Sequence, residues 1–442
     1  MWKRLLLGLI VLVLAAGIGF FALAWRSAYD PIDPPGRTAF DDAAIARGAA
    51  LAGIGDCAVC HTAAGGEAYA GGLPIPTPFG TIYSTNITPD PETGIGRWSE
   101  AAFRRSMREG VARDGSHLYP AFPYPHFTKA TDEDIRAIYA FLMTREPVRA
   151  EAPANQLPFP LNFRPLMAGW NLLFLDEGPF RPDPNQSEAW NRGAYLAEGL
   201  GHCGSCHTPV NALGAERKDR RYAGGVAEGW HAPALDASSP APMPWTEEAL
   251  ANYLRGWDPH HGLAAGPMAP VVETMKDAPA ADIAAIATYV ASLSGGRTAS
   301  RRSADQVVAF AEERAFGPVP QVDRPKISAV QAEGLQDGER LFVGACATCH
   351  HEGGALPYTR PVELSFSSSV TGPDPRNLVR IVLDGIHPPE GQPGPIMPGF
   401  AGALTDQQLE ALLIYVRRHF GNAPAWRELG ATIRDIRGSD AS

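Results

Sequence analysis

The sequence predicts an all-α, loop-rich chain in which three similar modules stand in tandem after an N-terminal transmembrane helix. Three observations carry that expectation. An uncharged apolar run opens the chain, one cysteine pattern recurs three times at near-equal spacing, and an amphipathic helical segment follows each recurrence. Composition agrees: 442 residues, 45% hydrophobic and 19% charged, suit folded domains rather than disorder. The 46 glycines and 41 prolines make long loops between short helices. A net charge of -10 leaves none of the clustered cations that phosphate neutralisation needs, so no nucleic-acid partner is expected.

Lys3 and Arg4 precede Leu5 to Trp25, 21 residues without a charge. As a helix this run is about 31 Å long, enough to cross a bilayer. A cleaved signal peptide is the competing reading, supported by Ala22-Leu23-Ala24, but its apolar core is usually shorter. Either way the positive N-terminus places everything after Arg26 outside the cytoplasm, in a Gram-negative cell the periplasm. A retained anchor over residues 1–28 is expected, with the protein in the inner membrane and its modules facing the periplasm.

All six cysteines fall in one pattern used three times: Cys57-Ala-Val-Cys60-His61, Cys203-Gly-Ser-Cys206-His207 and Cys346-Ala-Thr-Cys349-His350. Cys-x-x-Cys-His is the attachment signature of c-type haem, in which two thiols bond the porphyrin edge and the histidine ligates iron. Disulfides, a redox dithiol or half a zinc site each suit one isolated pair. They do not account for three copies that all end in histidine and use every cysteine. Three covalently bound haem c groups follow, with Cys57, Cys60, Cys203, Cys206, Cys346 and Cys349 as attachment points and His61, His207 and His350 as proximal ligands.

First cysteines 146 and 143 positions apart define three cytochrome c-like modules, at 40–148, 187–296 and 331–425. Between them lie an apolar connector, 149–186, and a polar, proline-containing linker, 297–330; a tail, 426–442, follows. Each module should open with a helix bearing a glycine (Gly48, Gly193, Gly338) and close with an amphipathic helix bearing a tyrosine (Tyr139, Tyr289, Tyr415). The two helices are expected to cross at those residues. Ser99 and Thr246, each followed by acid, read as N-caps of middle helices.

The distal ligand separates an electron carrier from a reactive haem, and methionine there raises the reduction potential. Met268 and Met397 each sit beside proline in a loop ahead of the closing helix, an uncommon place for a core methionine. Met275 is the weaker competitor for the second haem. In the first module the equivalent position is Phe122, which cannot bind iron. His126, in the same loop, is the candidate distal ligand of the first haem; its ordinary alternative is a surface histidine, His117 is a further option, and Met107 belongs to the middle helix.

Pro78–Asp90, Trp190–Pro209 and Ile396–Phe400 resemble the three-haem cytochrome c subunits of membrane-associated periplasmic dehydrogenases. These serve quinoprotein alcohol dehydrogenases, flavin gluconate and related sugar dehydrogenases, and molybdenum hydroxylases acting on aldehydes or N-heteroaromatics. The resemblance covers about residues 40–425. It implies a catalytic dehydrogenase partner (quinoprotein, flavoprotein or molybdenum hydroxylase) and ubiquinone or a terminal oxidase as electron acceptor. Such subunits often carry Met where this chain has Phe122. Ala121–His126 and the N-terminal anchor resemble the cytochromes that accompany molybdenum hydroxylases.

The connector stretch Leu157 to Leu175 is apolar but broken by Pro158, Pro160 and Pro165, so it cannot span a membrane. Burial between modules is the ordinary reading; docking to a partner or the membrane surface is the functional one. No phosphate loop, serine-nucleophile motif or zinc-protease motif occurs, so the chain is expected to be an electron conduit and not an enzyme. Two rivals are a haem enzyme or gas-binding protein with an open first haem, and an oxidase subunit carrying fused cytochromes. The latter lacks a second apolar span in this sequence.

Overall fold

A computed structural model describes residues 2–295, 303–314, 333–350, 363–387 and 396–440. The chain is predominantly helical and forms two compact units, Met1–Cys203 with Asp277–Asp282, and Gly204–Lys276 with Ile283–Ser442.

The first unit begins with α1 (Trp2–Ala24), one apolar helix long enough to cross a membrane and exposed along its length. Its last residue, Ala24, is buried. The chain then runs in an extended strap over the body of the unit: Tyr29 N–H donates to Arg113 O at 2.8 Å, and Ile32 N–H to Arg97 O at 3.1 Å. Three helices form that body: α2 (Asp42–Ile54), α3 (Glu100–Glu109) and α4 (Asp132–Met143). Asp41, Ser99 and Thr131 cap them by accepting the N–H of Ala44, Ala102 and Asp134, satisfying donors the helix leaves open. The expected cap at Ser99 is thus present. Leu51 and Ile54 of α2, Phe103 and Met107 of α3, and Ile135, Ile138 and Leu142 of α4 are all buried. Met107 is a core methionine, in keeping with its helical placement.

α2 and α4 cross where Gly48 lies directly on the Ala137 carbonyl, and a Cβ there would collide with it and sit 2.8 Å from Phe141 Cβ. The expected glycine crossing is present, but its aromatic is Phe141 rather than Tyr139. Tyr139 turns away, its hydroxyl donating to Trp98 O at 2.7 Å between the rings of Phe40 and Phe103. Two further helices complete the unit, α5 (Leu166–Phe174) in the apolar connector and α6 (Glu188–Glu198). Tyr195 of α6 donates to the buried Asp134 carboxylate, whose other oxygen accepts Arg47 Nε at 2.6 Å.

The second unit holds α7 (Glu247–Leu254), α8 (Met268–Met275) and α9 (Ala280–Ser294), the last belonging to it from Ile283 onward. Thr246 caps α7 by accepting Ala249 N–H at 3.1 Å, as expected. Most of the linker 297–330 lies outside the described residues; within it Ala304–Arg314 is helical (α10). α11 (Glu333–Ala345) crosses α13 (Asp406–His419), with α12 (Arg376–Asp384) and α14 (Leu429–Asp440) packed beside them. Here Gly338 meets the Ala411 carbonyl and lies 2.8 Å, as a notional Cβ, from Tyr415 Cβ, the crossing the sequence predicts. A capping box of Thr405 and Gln408 starts α13. Phe141 and Tyr415 each follow their caps, Thr131 and Thr405, by ten residues, so both closing helices use the same turn. α14 buries Leu429, Ile433 and Ile436 in this core, giving the C-terminal tail a packing role that its sequence position did not suggest.

Among the described residues three small antiparallel hairpins punctuate the loops: Pro74–Thr77 with Gly80–Tyr83, Gly225–Ala227 with Trp230–Ala232, and Trp257–Asp258 with Gly262–Leu263.

Candidate haem centres

The first motif follows α2 after a reversal at Asp56, which takes the left-handed conformation (φ 51°). Cys57–Cys60 then form one helical turn, closed by His61 N–H donating to Cys57 O at 2.9 Å. The same bond, His350 N–H to Cys346 O at 2.9 Å, closes the third motif. In the second, Gly204–His207 are helical and Thr208 N–H donates to Gly204 O at 2.9 Å. A single turn sets two sulfurs three positions apart on one side, the arrangement that bonding one porphyrin edge requires.

The histidines of the first two motifs are oriented from behind. His61 Nδ1 lies 2.6 Å from Thr85 O, and His207 Nδ1 lies 2.7 Å from Pro233 O. A main-chain carbonyl on Nδ1 fixes the ring and directs Nε2 as the ligating atom, the usual second partner of a metal-bound histidine. Burial holds both imidazoles below their ordinary pKa, partly offset by these bonds, with His231 lowering His207 further. The neutral form that binds iron is therefore favoured at pH 7. Burial likewise lowers His350, whose Nδ1 is buried with no partner among the described residues.

Around the first two histidines the same small structure recurs, one that sequence reasoning did not single out. Gly71 N–H donates to His61 O at 2.8 Å, and Gly224 N–H to His207 O at 2.9 Å. Tyr69 N–H donates to the hydroxyl of Thr62, and Tyr222 N–H to that of Thr208. Both tyrosines have positive φ, and their rings meet the closing-helix aromatics edge-on, Tyr69 on Phe141 and Tyr222 on Tyr289. The signal was available as a repeated tetrapeptide, Tyr-Ala-Gly-Gly, at 69–72 and 222–225, together with His-Thr after each motif. The corresponding stretch after His350 lies outside the described residues.

The thiols fit haem attachment better than the alternatives. None of the six is in a disulfide. Burial first, then neighbouring Asp56 and Cys60, pushes Cys57 up to about 12, and burial with Cys349 pushes Cys346 up to about 11. A redox-active pair needs a readily formed thiolate. No cluster of three or more His, Cys, Asp or Glu with metal-binding geometry occurs among the described residues.

Of the expected distal ligands, Met268 opens α8 behind Pro267 and keeps part of its side chain accessible, whereas Met275 is wholly buried in the core. Met397 is fixed by its main chain, exchanging bonds with Ile386 at 2.8 and 2.9 Å, in a loop pinned by the close approach of Gly385 and Gly399 to neighbouring backbone. His126 is buried in a single turn, Tyr124–Phe127, with Nδ1 2.8 Å from Glu198 O. It thus uses Nδ1 as His61 and His207 do. His117 differs: its Nε2 faces the Ala24 carbonyl at 2.9 Å. Phe122 packs on Tyr124 and Phe127.

Residues 45–146 match the family described as "Cytochrome c", and 333–416 match "Cytochrome C oxidase, cbb3-type, subunit III". The chain is 36% identical to the fructose dehydrogenase cytochrome subunit of Gluconobacter japonicus, over 86% of this chain and 80% of that one. It is 37% identical to the gluconate 2-dehydrogenase cytochrome c subunit of Pantoea cypripedii, over 86% and 87%. The chain belongs to the cytochrome c subunits of dehydrogenases. As a member of that family it is an electron-transfer protein with covalently bound haem c. A nicotinate dehydrogenase subunit of Pseudomonas putida is 48% identical over 97% of this chain, which spans only 35% of that longer relative's length.

Proposed function

We propose that this cytochrome c subunit is a membrane-anchored relay of three haems that carries electrons from a separate catalytic dehydrogenase to ubiquinone or a terminal oxidase at the periplasmic face. The observation that carries the reading is the threefold Cys-x-x-Cys-His motif, with the Nδ1-to-carbonyl bonds of His61 and His207 behind two of its copies. His61, His207 and His350 serve as proximal ligands, Met268 and Met397 as distal ligands of the second and third haems, and His126 as that of the first. The haem supplies the one-electron couple. The chain's residues attach it, fix its axial ligands and limit water at its edge, which sets its potential. A histidine pair would give the first haem a lower potential than its methionine-ligated neighbours, suited to the entry of electrons.

Substrate oxidation belongs to the partner on this reading, in keeping with relatives named as the cytochrome subunits of fructose and gluconate dehydrogenases. The relatives are named for dehydrogenases of nicotinate, fructose and gluconate. The higher identity to the nicotinate protein favours a partner of the molybdenum hydroxylase type acting on an N-heteroaromatic compound. Haem quantification on the purified full chain tests the count, with three per chain expected and two overturning it. Co-purification followed by addition of candidate substrates tests the partner: reduction of the haems by an N-heteroaromatic acid, and not by sugars or alcohols, is the expected result.

A further inference from the structure

We propose that the connector stretch Phe159–Leu175 is a second membrane contact, dipping into the outer face of the bilayer beside α1. The proposal rests on the reading of α1 as a retained anchor. Its occupant is phospholipid, and the argument is continuity with that anchor.

From Leu157 to Leu175 the only charged residue is Arg164. Arg164 is turned inward, donating to His117 O at 3.0 Å and lying over the Tyr119 ring. The helix α5 is fastened to the body by one polar side chain: Asn171 donates to Glu109 O at 3.0 Å and accepts the Tyr124 hydroxyl at 2.5 Å. Asn162 is the one other polar side chain exposed along the stretch; the remaining exposed side chains are apolar. Phe159 is 84% exposed, Leu172 69% and Leu173 68%. Soluble surfaces seldom leave such large side chains together in water.

α5 packs along α1, and the ring of Phe163 meets that of Phe21 at 6.4 Å, edge to face. Phe21 stands one turn before the end of α1 at Ala24, so the patch lies level with the last turn of the span, where the hydrocarbon gives way to headgroups. Nine residues of helix reach only about 14 Å, too short to cross, so α5 can only enter one face. An uncharged aromatic and aliphatic face at that depth is what an interfacial helix buries.

Single cysteines for spin labelling test this in the full-length, haem-loaded chain reconstituted into phosphatidylcholine vesicles, where the native cysteines are held by haem. Leu172→Cys reports the patch, Val11→Cys the span and Glu151→Cys the aqueous side. Collision with oxygen relative to a water-soluble nickel chelate is expected to be several-fold higher at positions 172 and 11 than at 151. An aqueous signal at 172 with a lipid signal at 11 overturns the second contact and leaves the anchor standing. An aqueous signal at 11 overturns the anchor and, with it, the second contact placed beside it. Native membranes containing the partner provide the second measurement: a label at 172 shielded from both reagents there overturns lipid in favour of a protein surface.

Discussion

His126 Nδ1 lies 2.8 Å from the carbonyl oxygen of Glu198, so a histidine in the loop of the first cytochrome motif is held by the C-terminal end of α6, the helix that leads into the second motif. Its ring stands 6.5 Å from that of His202, the residue immediately before Cys203. As a distal ligand it would couple the coordination of one haem to the position of the next attachment point.

His126→Ala is therefore expected to open one haem in three. The reduced variant should bind carbon monoxide at about one-third of its haem, and the potential of that haem should shift while the other two stay in place. An unchanged spectrum and no carbon monoxide binding would remove the residue from the ligand set. Carbon monoxide binding by the unmutated protein at one haem would favour the open-site alternative.

With Met397 ligating the third haem as proposed, Met397→His would exchange a thioether for an imidazole there. A lower midpoint potential for that haem alone is the expected outcome in a spectroelectrochemical titration. The loop itself is held by main-chain bonds to Ile386, so the exchange leaves its path intact.

Gly71→Ala should damage the first haem site through its backbone. At φ 75° a side chain is strained, and the added Cβ would run into Thr85, whose carbonyl holds His61. Lower haem incorporation and a loss of stability on the order of 1–3 kcal/mol are expected by denaturant titration. Gly344→Ala, in α11 with open space around it, should be neutral or gain up to about 1 kcal/mol.

Alkaline pH should weaken the fold. Burial pushes Tyr139, Tyr195 and Tyr253 up to about 12 from an ordinary value near 10, with Asp134 adding to the shift of Tyr195. The folded state keeps these protons where the unfolded chain releases them, so this contribution is complete below pH 10 and is lost as pH rises toward 12. Denaturation midpoints across that window should fall, and Tyr195→Phe should flatten part of the fall while costing about 1–3 kcal/mol at neutral pH for the bond to Asp134.

Chemistry was more legible in the sequence than packing. The Cys-x-x-Cys-His turns announce themselves because covalent attachment demands fixed spacing, and the caps at Ser99 and Thr246 because a helix start demands an acceptor. The glycine crossings are visible, yet Tyr139 and Phe141 are both aromatic and only the turn counted from Thr131 tells them apart. The carbonyls of Thr85 and Pro233 were hidden altogether, because a main-chain oxygen leaves no mark of its own. Only the repeated Tyr-Ala-Gly-Gly betrays the backbone that brings them into place. The packing of α14 was missed because its apolar residues are few and its position at the end resembles a tail.

The strap after α1 bears on the history of the chain. The Ala24 carbonyl is occupied by His117, and the next carbonyls but one, those of Arg26 and Ser27, are pressed on Gly115 and bound by Arg105. A peptidase needs its target bond extended and accessible, and here that bond is clasped once the first unit has closed. In a chain exported and anchored as proposed, folding of the residues that seize Ala24 would shield the leading helix from removal.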